Sequence, residues 1–515
     1  MKPTDHSFII HIIHQRLALK PSSQSFPQWK DIPVPVYERF YFFNITNPAE
    51  IERFGAKPKL KEIGPFTYRL YLNKTAIKFN KNGTVSYRER KTWKFIRSKS
   101  IGSENQVITT LNGPLALTLT LIQSAQSAVR VIVNLALEAV TEGFFIKRSV
   151  KQLLFEGYPD ILTTFAPLLN PEITSYSSGR FAWLIGKNGT DEGMFTIHDG
   201  TSDIGLFNII HTFQNRTALP YWLTDECNSF NGATNGEFRP PLKNSTKSVK
   251  LFHPDLCRIL ELDYNNTYEP DLGEGIKANR FVLSPNTWKN AIDYPPNSCY
   301  DTKLVRPTPV TPQSRIQSIL NFRRNLSPVA QAQAIKFASG VFDISKCKFG
   351  MPILISPPHF YGSDPYFRSV IDGLKPNQSR HNFWMDVEPS TGTTVSIAAR
   401  VQVNVAINKG PGFRYRNVPN IVFPIFWQEM TTELNHQVAD ELWLASHMPQ
   451  ILADVSSYSF YSLGSILLLS SLVILAMKFI KSCTSHSTVD KSLSNTPSQV
   501  SCFESCLMLI IIPCS

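Results

Sequence analysis

Apolar positions are most concentrated near the C-terminal end of the chain. Residues 455–477, 23 positions in all, carry no charge and centre on the sequence SILLLSSLVILAM. At a rise of about 1.5 Å per residue, a helix of this length exceeds the roughly 30 Å hydrocarbon core of a bilayer. Aromatic residues lie at its start and Lys478 at its end, which favours a cytoplasmic C-terminal side. The pattern predicts a transmembrane helix over 455–478, a disordered cytoplasmic tail over 479–515, and an extracellular or luminal domain before them.

Alternation of apolar and polar positions predicts strands through much of the remaining chain. The runs TAIKFN and TVSYRER flank Asn82-Gly83, which is a strong hairpin signal, and similar runs flank Asn188-Gly189. The run AARVQVNVAI alternates as a half-buried strand does. After residue 170, short runs of this kind alternate with loops rich in Pro and Asn. Together they predict a largely antiparallel sheet or barrel.

Residues 113–156 are predicted to be the main helical region. The sequence PLALTLTLIQSAQSAVRVIVNLALEAV has Arg130 and Glu138 as its only charges, but Thr, Gln, Ser and Asn interrupt it. These interruptions favour amphipathic helices that pack together over a second bilayer span. Burial of the apolar surface is one interpretation, and exposure as a contact site for an apolar ligand or membrane is the other.

The segment FNITNPAEIERFGAKPKLKEIGPFTYR, residues 43–69, is dense in local structure signals. Asn47 is predicted to cap the start of a short helix, and Gly55 to end that helix in a left-handed conformation. Gly64-Pro65 is predicted to form a turn. All of these signals concern architecture.

The chain of 515 residues has a net charge of +12 and a pI near 9.2, which favours anionic partners such as lipid headgroups or acidic lipoproteins. The basic residues are dispersed and no nucleic-acid-binding signature accompanies them, so nucleic acid is not expected as a partner. Between Lys74 and Lys99, nine basic residues face a single acidic one, Glu89. This strip is either a solvated strand face or a docking surface for anionic ligands.

Glycosylation signals support the predicted orientation. Nine Asn-x-Ser/Thr sequences precede the predicted span and none follows it. They begin at Asn44, Asn73, Asn82, Asn188, Asn215, Asn244, Asn265, Asn325 and Asn377.

Cysteines fall into two groups on either side of the predicted span. The four that precede it suit two disulfides in an oxidising compartment. They are Cys227, Cys257, Cys299 and Cys347. The four that follow it are either palmitoylation sites or free thiols. They are Cys483, Cys502, Cys506 and Cys514.

Residues 1–25 are atypical for the start of an extracellular or luminal domain. Their apolar run, 8–13, is interrupted by His11 and is too short for a spanning helix or a good signal sequence. We therefore expect either an upstream segment outside this chain or a variant that is not secreted.

No catalytic signature accompanies these features. The chain has no G-x-S-x-G elbow, Walker loop, dinucleotide glycine fingerprint or H-E-x-x-H sequence. His11 and His14 have a spacing that a metal could use, but no further ligand lies nearby. Asp386 and Glu388 would share one face of a strand and could do acid–base chemistry, although a turn at the strand end is favoured. The chain is predicted not to be an enzyme and to need no cofactor.

Several stretches together resemble the class B scavenger receptor family, the group of the fatty acid translocase and the lysosomal integral membrane proteins. In chain order they are PVYERFYFFNITNPAEIERFGAKPKLKEIGPFTYR, GPLALTL, VKQLLFEGY, FHPDLCRIL, NRFVL, DISKCKFGMPILISPPHF, DGLKPNQSRHNFWMDVEPSTG and ARVQVNV. The match covers roughly residues 26–480. Single motifs are modest, but their number and order make the resemblance specific.

The resemblance implies an α+β fold. It consists of a large antiparallel β-barrel-like domain over 26–454, topped by a helical bundle, followed by the C-terminal membrane helix. It implies the disulfides Cys227–Cys299 and Cys257–Cys347. Three departures are evident: the family's first membrane helix is missing, a further cysteine pair of some members is absent, and residues 113–146 contain no lysine.

The implied function is that of a scavenger receptor in the plasma membrane or the lysosomal or endosomal membrane. Such a receptor binds lipids or lipoproteins and passes lipid through an internal hydrophobic tunnel toward the membrane. The alternative is a lysosomal cargo-sorting receptor, or a structural lysosomal membrane glycoprotein, that binds a protein through the apex helices. The tail sequence ESCLML only approaches an acidic dileucine sorting signal. A membrane-tethered hydrolase would need a nucleophile and a base that the sequence does not offer.

Overall fold

The computed structural model describes residues 17–23, 25–121, 127–164, 179–269, 275–300, 338–348, 350–407, 417–432 and 436–489. Within these ranges, residues up to His447 belong to one compact unit and residues from Met448 belong to a second. Several residues singled out from the sequence lie outside the described ranges. These are His11, His14, Asn325, Cys502, Cys506 and Cys514.

Antiparallel pairing dominates the first unit, as the alternating runs predict. The strands are β1 (Val36–Ile45), β2 (Leu60–Asn80), β3 (Thr84–Phe95), β4 (Val107–Leu111), β5 (Phe145–Ser149), β6 (Tyr158–Pro159), β7 (Arg180–Phe181), β8 (Thr190–His198), β9 (Ile210–Phe213), β10 (Ala233–Thr234), β11 (Ser248–His253), β12 (Arg258–Tyr268), β13 (Ala278–Leu283), β14 (Phe342–Asp343), β15 (Ile353–Ser356), β16 (Trp384–Val387), β17 (Thr394–Ile407) and β18 (Ile421–Thr432).

Fourteen of these strands form one large sheet that is nearly closed, like a barrel. Its order is β10-β11-β12-β13-β16-β17-β18-β1-β2-β3-β8-β9, with β15 also paired to β17 and β14 to β15. Within this sheet only β10 and β11 run parallel. Two small sheets, β4-β5 and β6-β7, lie apart from it. The predicted α+β class with a barrel-like antiparallel core is therefore confirmed.

Strand β1 is covered on both of its faces. Phe40 and Phe42 point to one side and Tyr41 and Phe43 to the other, and all four are buried. A strand that is buried on both faces needs a continuous apolar run, which is what FYFF supplies. Neighbours β18 and β2 pair with it along almost its whole length. This strand is therefore central to the sheet.

Helices connect and decorate the sheet. The α-helices are Ser25–Lys30, Pro48–Phe54, Gly113–Leu121, Ser127–Val140, Asp225–Asn228, Pro365–Ser369, Gln378–His381 and His436–Val489, and Gln152–Glu156 is a π-helix. Short 3₁₀ turns occur at Arg97–Lys99, Ile204–Leu206, Pro254–Leu256, Pro285–Trp288, Pro295–Tyr300, Ser345–Cys347 and Pro358–Phe360.

The C-terminal helix contains the predicted membrane span. It begins at His436, before the span predicted over 455–478, and runs without a break to Val489. Its stretch Asp454–Lys481 is long and apolar enough to cross a bilayer, and none of it is buried against protein. A helix that exposes so many apolar side chains needs a lipid environment to remove them from water.

Four local predictions in the first unit need correction. Asn47 does precede a short helix that Gly55 ends at φ +66°, but its side chain does not cap that helix. Instead, Asn47 Oδ1 accepts a hydrogen bond from the Lys59 backbone at 2.9 Å. This bond connects the start of the helix to the residue that precedes β2. At Gly64-Pro65 the structure has no turn, because β2 continues through both residues, and the pairing with β1 shifts register nearby.

The other corrections concern Asn188-Gly189 and the region 141–156. Asn188-Gly189 makes a turn, but the run before it does not pair with β8. Strand β8 pairs with β3 and β9 instead, while Trp183 bonds to the π-helix through Leu153. The predicted helical region is also interrupted, since β5 occupies Phe145–Ser149.

Two disulfides join residues of the first unit. Cys227 is bonded to Cys299 and Cys257 to Cys347, with Cα–Cα separations of 6.3 and 6.4 Å. These are the pairs that the family resemblance implies. Three of the four cysteines belong to the buried apolar cluster that also contains Trp222.

We predict that the Cys257–Cys347 bond contributes to stability. It closes a loop with a sequence separation of 90 residues. Replacing Cys257 with Ser should lower the free energy of unfolding by about 2–5 kcal/mol, as loss of a native disulfide does in secreted domains. Non-reducing peptide mapping of the unaltered protein should recover the Cys257–Cys347 peptide. Cys483→Ser is the matched control and should leave stability unchanged, whereas a Cys257–Cys227 peptide would contradict the assignment.

Candidate functional site

The helix Gly113–Leu121 is buried although its sequence resembles a membrane segment. Leu115, Ala116 and Leu119 are almost inaccessible to solvent. Asn112 precedes the helix, and its side-chain carbonyl accepts from the Leu115 backbone at 3.3 Å. At Gly113 a Cβ atom would lie 2.8 Å from the Phe181 ring, so only glycine permits this close approach. The burial interpretation holds for this helix.

The next helix, Ser127–Val140, presents an apolar face to solvent. Val131, Ile132 and Leu135 are 50, 67 and 61% exposed. At 100° per residue they lie on one side of the helix, and the exposed residues Ala136 and Ala139 lie on the same side. We call these five residues the apical apolar face. The exposure interpretation therefore holds here.

An exposed apolar face of this kind is suited to contact with another apolar surface. Each Å² removed from water contributes about 25 cal/mol, so covering these side chains is favourable. Contiguous exposed apolar surface is unusual in soluble proteins and marks binding sites or membrane contacts. None of the five residues can ionise, so the face selects partners through apolar contact alone.

The basic strip between Lys74 and Lys99 does not form a single surface. Strand alternation turns Lys74 inward, where its ammonium group is buried and bonded to Glu237 at 2.6 Å. Arg88 faces outward and pairs with Asp191 at 2.7 Å. Because the basic residues divide between the two faces of the sheet, the external surface is less basic than the sequence predicts.

Asp386 and Glu388 are structural residues. Asp386 is buried and accepts from Arg280 at 2.8 Å through both of its carboxylate oxygens, and also from Tyr268. Glu388 accepts from the backbone and hydroxyl groups of the two residues that follow Pro389, and these bonds close the turn at the strand end. Both carboxylates are occupied by these partners, so the turn interpretation holds and acid–base chemistry is not supported.

Three side chains that the sequence did not single out meet on the outer side of β1 and β18. Potential ligand atoms of Glu62, His359 and His381 all lie within 4.8 Å of one another. The residues are far apart in sequence, and no motif connects them. His359 Nε2 lies 2.5 Å from Glu62 Oε2, and the rings of the two histidines stack at 4.5 Å.

The donor set of this cluster does not suit a metal ion. Nδ1 of His359 accepts from the Lys375 backbone at 3.0 Å, and Nδ1 of His381 accepts from the Asn377 backbone at 2.9 Å. In a neutral ring that accepts at Nδ1, the proton is on Nε2. A metal would need that nitrogen deprotonated, with Nδ1 donating instead. His359 therefore donates through Nε2 to the carboxylate of Glu62, whereas His381 Nε2 has no hydrogen-bond partner in the part of the chain that the structure describes.

The Glu62 carboxylate accepts hydrogen bonds from several side chains. Trp427 Nε1 donates to it at 2.8 Å and Arg380 at 3.1 Å, in addition to His359. Although burial alone would raise its pKa, the bonds from His359 and Trp427 and the charge of Arg380 lower the pKa of Glu62 to about 2. Burial also lowers the pKa of His381 to about 3. The cluster attaches the segment 357–381 to the outer face of the sheet.

We predict that this attachment weakens as the pH falls. His381 is neutral in the folded protein down to about pH 3 but takes up a proton near pH 6.5 when unfolded. Between these two pH values the unfolded state thus binds more protons than the folded state does. The free energy of unfolding therefore decreases as the pH is lowered through that window. Replacing His381 with Gln removes this pH-dependent contribution to stability. The thermal midpoint of the His381→Gln variant should therefore change less between about pH 7 and 5 than that of the unaltered protein.

The matched control is His211→Gln, because His211 is exposed on β9. It should keep the pH dependence of the unaltered protein. Identical pH profiles for His381→Gln and the unaltered protein would show that His381 does not contribute.

Comparison with known proteins shows which family has this architecture. The CD36 family model matches residues 5–475. Scavenger receptor class B member 1 of Mus musculus is 29% identical over 469 residues, which cover 91% of this chain and 84% of that protein. Lysosome membrane protein 2 of Homo sapiens is 31% identical over 439 residues, covering 84% of this chain and 81% of that protein. The resemblance drawn from the sequence motifs is confirmed, and the chain belongs to the CD36 family.

Proposed function

We propose that this chain is a membrane-anchored receptor that binds lipid or lipoprotein ligands at the apical apolar face and passes lipid through the barrel interior toward the membrane. The observation that carries the proposal is the exposure of Val131, Ile132 and Leu135 on one side of a helix. An apolar ligand would cover this face and remove it from water.

The interior of the barrel supports the second part of the proposal. Two large clusters of buried apolar residues lie in the first unit. One is formed around Phe40, Phe66 and Phe426, and the other around Tyr87, Phe195 and Phe252. Transfer of a lipid along apolar surface is favourable without bond formation or cleavage. This agrees with the structural roles of Asp386 and Glu388, and the proposed activity is binding and passive transfer.

Surface features of the first unit support an extracellular or luminal location. Of the eight acceptor asparagines in the described ranges, seven are exposed. These are Asn73, Asn82, Asn188, Asn215, Asn244, Asn265 and Asn377. Asn44 is half-buried, and its side-chain carbonyl accepts from the Thr109 backbone at 2.8 Å. We propose that the exposed sites carry glycans and that the two disulfides form in the same oxidising compartment.

A second candidate function uses the same face. The apical apolar face could be covered by apolar surface of a protein cargo instead of a lipid, as in a sorting receptor. One relative is a lysosome membrane protein, and this similarity is the reason for considering the alternative. Both candidates predict that binding depends on Ile132 and Leu135, and they differ in whether lipid is the ligand.

We predict that polar substitution of the apical apolar face weakens lipid binding. Ile132→Gln with Leu135→Gln removes two side chains that a ligand would bury, each contributing about 1.5–3 kcal/mol when fully covered. Binding of the full-length protein to lipoprotein particles and to phospholipid vesicles should therefore weaken at least about tenfold.

Ile101→Gln is the matched control, since Ile101 is 63% exposed but lies away from this helix. It should bind as the unaltered protein does. Unchanged lipid binding by the double variant would reject the apical apolar face as the lipid site. Loss of protein capture with lipid binding unaltered would favour the cargo receptor.

A further inference from the structure

Aromatic and basic side chains lie together on the outer face of the sheet, where β1, β2 and β3 are neighbours. Tyr37 of β1 lies directly opposite Arg69 of β2, and Arg69 lies directly opposite Lys94 of β3. Directly opposite residues on paired strands have neighbouring side chains, so these three form a row across the sheet. Tyr71 lies on the same face as Arg69, because it is two positions further along β2.

The two tyrosine rings each lie close to more than one cation. The guanidinium group of Arg69 is 5.5 Å from the centre of the Tyr37 ring and 5.4 Å from that of the Tyr71 ring. Lys94 Nζ is 5.4 Å from the Tyr71 ring, and Lys99 Nζ is 4.6 Å from the Tyr37 ring. Cations at these distances are attracted by the negative face of the ring. We call these five residues the basic–aromatic cluster.

This arrangement brings like charges near one another. Arg69 and Lys94 share the Tyr71 ring, and Arg69 and Lys99 share the Tyr37 ring. Cations that share a ring are separated by about one Debye length or less at about 0.1 M salt, so they repel one another. An anionic ligand that reached several of these cations would relieve the repulsion.

Carboxylates of the protein do not neutralise the central charges of the basic–aromatic cluster. In the part of the chain that the structure describes, neither Arg69 nor Lys94 has a carboxylate within ion-pair distance. The next cation on β1, Arg39, differs in this respect because it pairs with Glu429 at 3.2 Å. Nη1 of Arg69 is covered by protein and has no hydrogen-bond partner among the described residues. The protein therefore leaves positive charge unmatched here.

The basic–aromatic cluster is accessible to a ligand. Lys94 and Lys99 are exposed, Tyr71 is 40% exposed, and Tyr37 and Arg69 are half-buried. The lysines can contact anionic groups, while the Tyr71 ring can pack against an apolar ring face and its hydroxyl can form hydrogen bonds. Such a surface suits a polymer that combines anionic groups with rings that bear C–H and hydroxyl groups.

Two predicted glycosylation sites border the basic–aromatic cluster. Asn73 lies on the same face of β2, two positions beyond Tyr71. The side-chain carbonyl of Asn188 accepts from the Trp93 backbone at 2.9 Å, next to Lys94. Glycans are bulky, and those that we propose at these asparagines would obstruct a globular protein or a flat membrane more than a single extended chain. The position of the two sites therefore favours a narrow, linear ligand.

We propose that the basic–aromatic cluster binds a sulfated linear polysaccharide of the glycosaminoglycan type. Sulfate groups would contact Lys94, Lys99 and the accessible part of Arg69, and a sugar ring would pack against Tyr71. Each sulfate is ionised at physiological pH and accepts charge-assisted hydrogen bonds. This inference goes beyond the proposed function and does not rest on it, because the ligand is not a lipid and the apical apolar face takes no part.

The test measures the affinity of the purified, glycosylated full-length protein for heparin in detergent micelles. Arg69→Gln with Lys94→Gln removes two charges of the cluster, and Arg69→Lys with Lys94→Arg keeps both. Lys78→Gln with Lys250→Gln is the matched control, because it removes two exposed cations outside the cluster. Desulfated heparin, phosphatidylserine vesicles and poly-glutamate are the comparison probes.

We expect heparin to bind to the unaltered protein and to the Lys78→Gln, Lys250→Gln control. The Arg69→Gln, Lys94→Gln variant should bind heparin about tenfold more weakly at about 0.1 M salt, because two charge contacts are lost. Its affinity should also depend less steeply on salt, since binding releases fewer counterions. The variant that keeps both charges should bind almost as the unaltered protein does, which would separate a charge effect from misfolding.

Several results would overturn the inference. Absence of heparin binding, or equal binding by the unaltered protein and the Arg69→Gln, Lys94→Gln variant, would reject the cluster as a polysaccharide site. Equal affinity for heparin and its desulfated form would exclude recognition of sulfate. If the substitutions weakened binding to phosphatidylserine vesicles or poly-glutamate but not to heparin, the ligand would be a membrane or an acidic protein. Binding of lipoprotein particles through the apical apolar face would be unaltered in each case, so the proposed function is tested separately.

Discussion

Alternation of side chains along β1, β2 and β3 is the constraint on which the rest of the structure depends. It places Phe40 and Phe42 inside the barrel and Tyr41 and Phe43 outside it. A shift of one residue in register would exchange these faces and would expose the interior charges. The aromatic interior fixes this register, since reversing it would bring buried rings into water at a cost of about 1.5–3 kcal/mol each.

The family fold combines this interior with two apolar surfaces of different kinds. Helix Ser127–Val140 exposes a short apolar face, while Asp454–Lys481 exposes apolar residues over a length that suits a bilayer. The chain is thus a membrane protein, and its predicted membrane location is confirmed at the level of the family and of this helix. The lipid transfer that we propose would need no covalent chemistry, because moving a lipid between apolar surfaces is favourable by itself.

Much of the fold could be predicted from local signals. The hairpin at Asn82-Gly83, the strand β17 and the membrane helix each follow from patterns within one window of sequence. Asn188-Gly189 carries the same turn signal but forms no hairpin, because β8 finds a better partner in β3. Local propensity identifies a turn, whereas strand pairing is decided by the whole sheet.

The sites were harder to predict because they join residues that are distant in sequence. Glu62 and His359 are separated by 297 positions, so no spacing rule could connect them. Lys91 is one of nine basic residues in its strip, and only the strand register shows that it faces inward while Lys94 faces outward. The family resemblance supplied the fold, but it did not identify either cluster.

Photo-crosslinking would test most directly whether lipid enters the barrel. Cells that express the full-length protein would be supplied with a diazirine-bearing fatty acid, irradiated and analysed by peptide mass spectrometry. We expect adducts on inward-facing residues of β2 and β3, such as Leu72 and Trp93, as well as on the helix Ser127–Val140. Adducts confined to that helix and to the membrane helix would contradict passage through the interior.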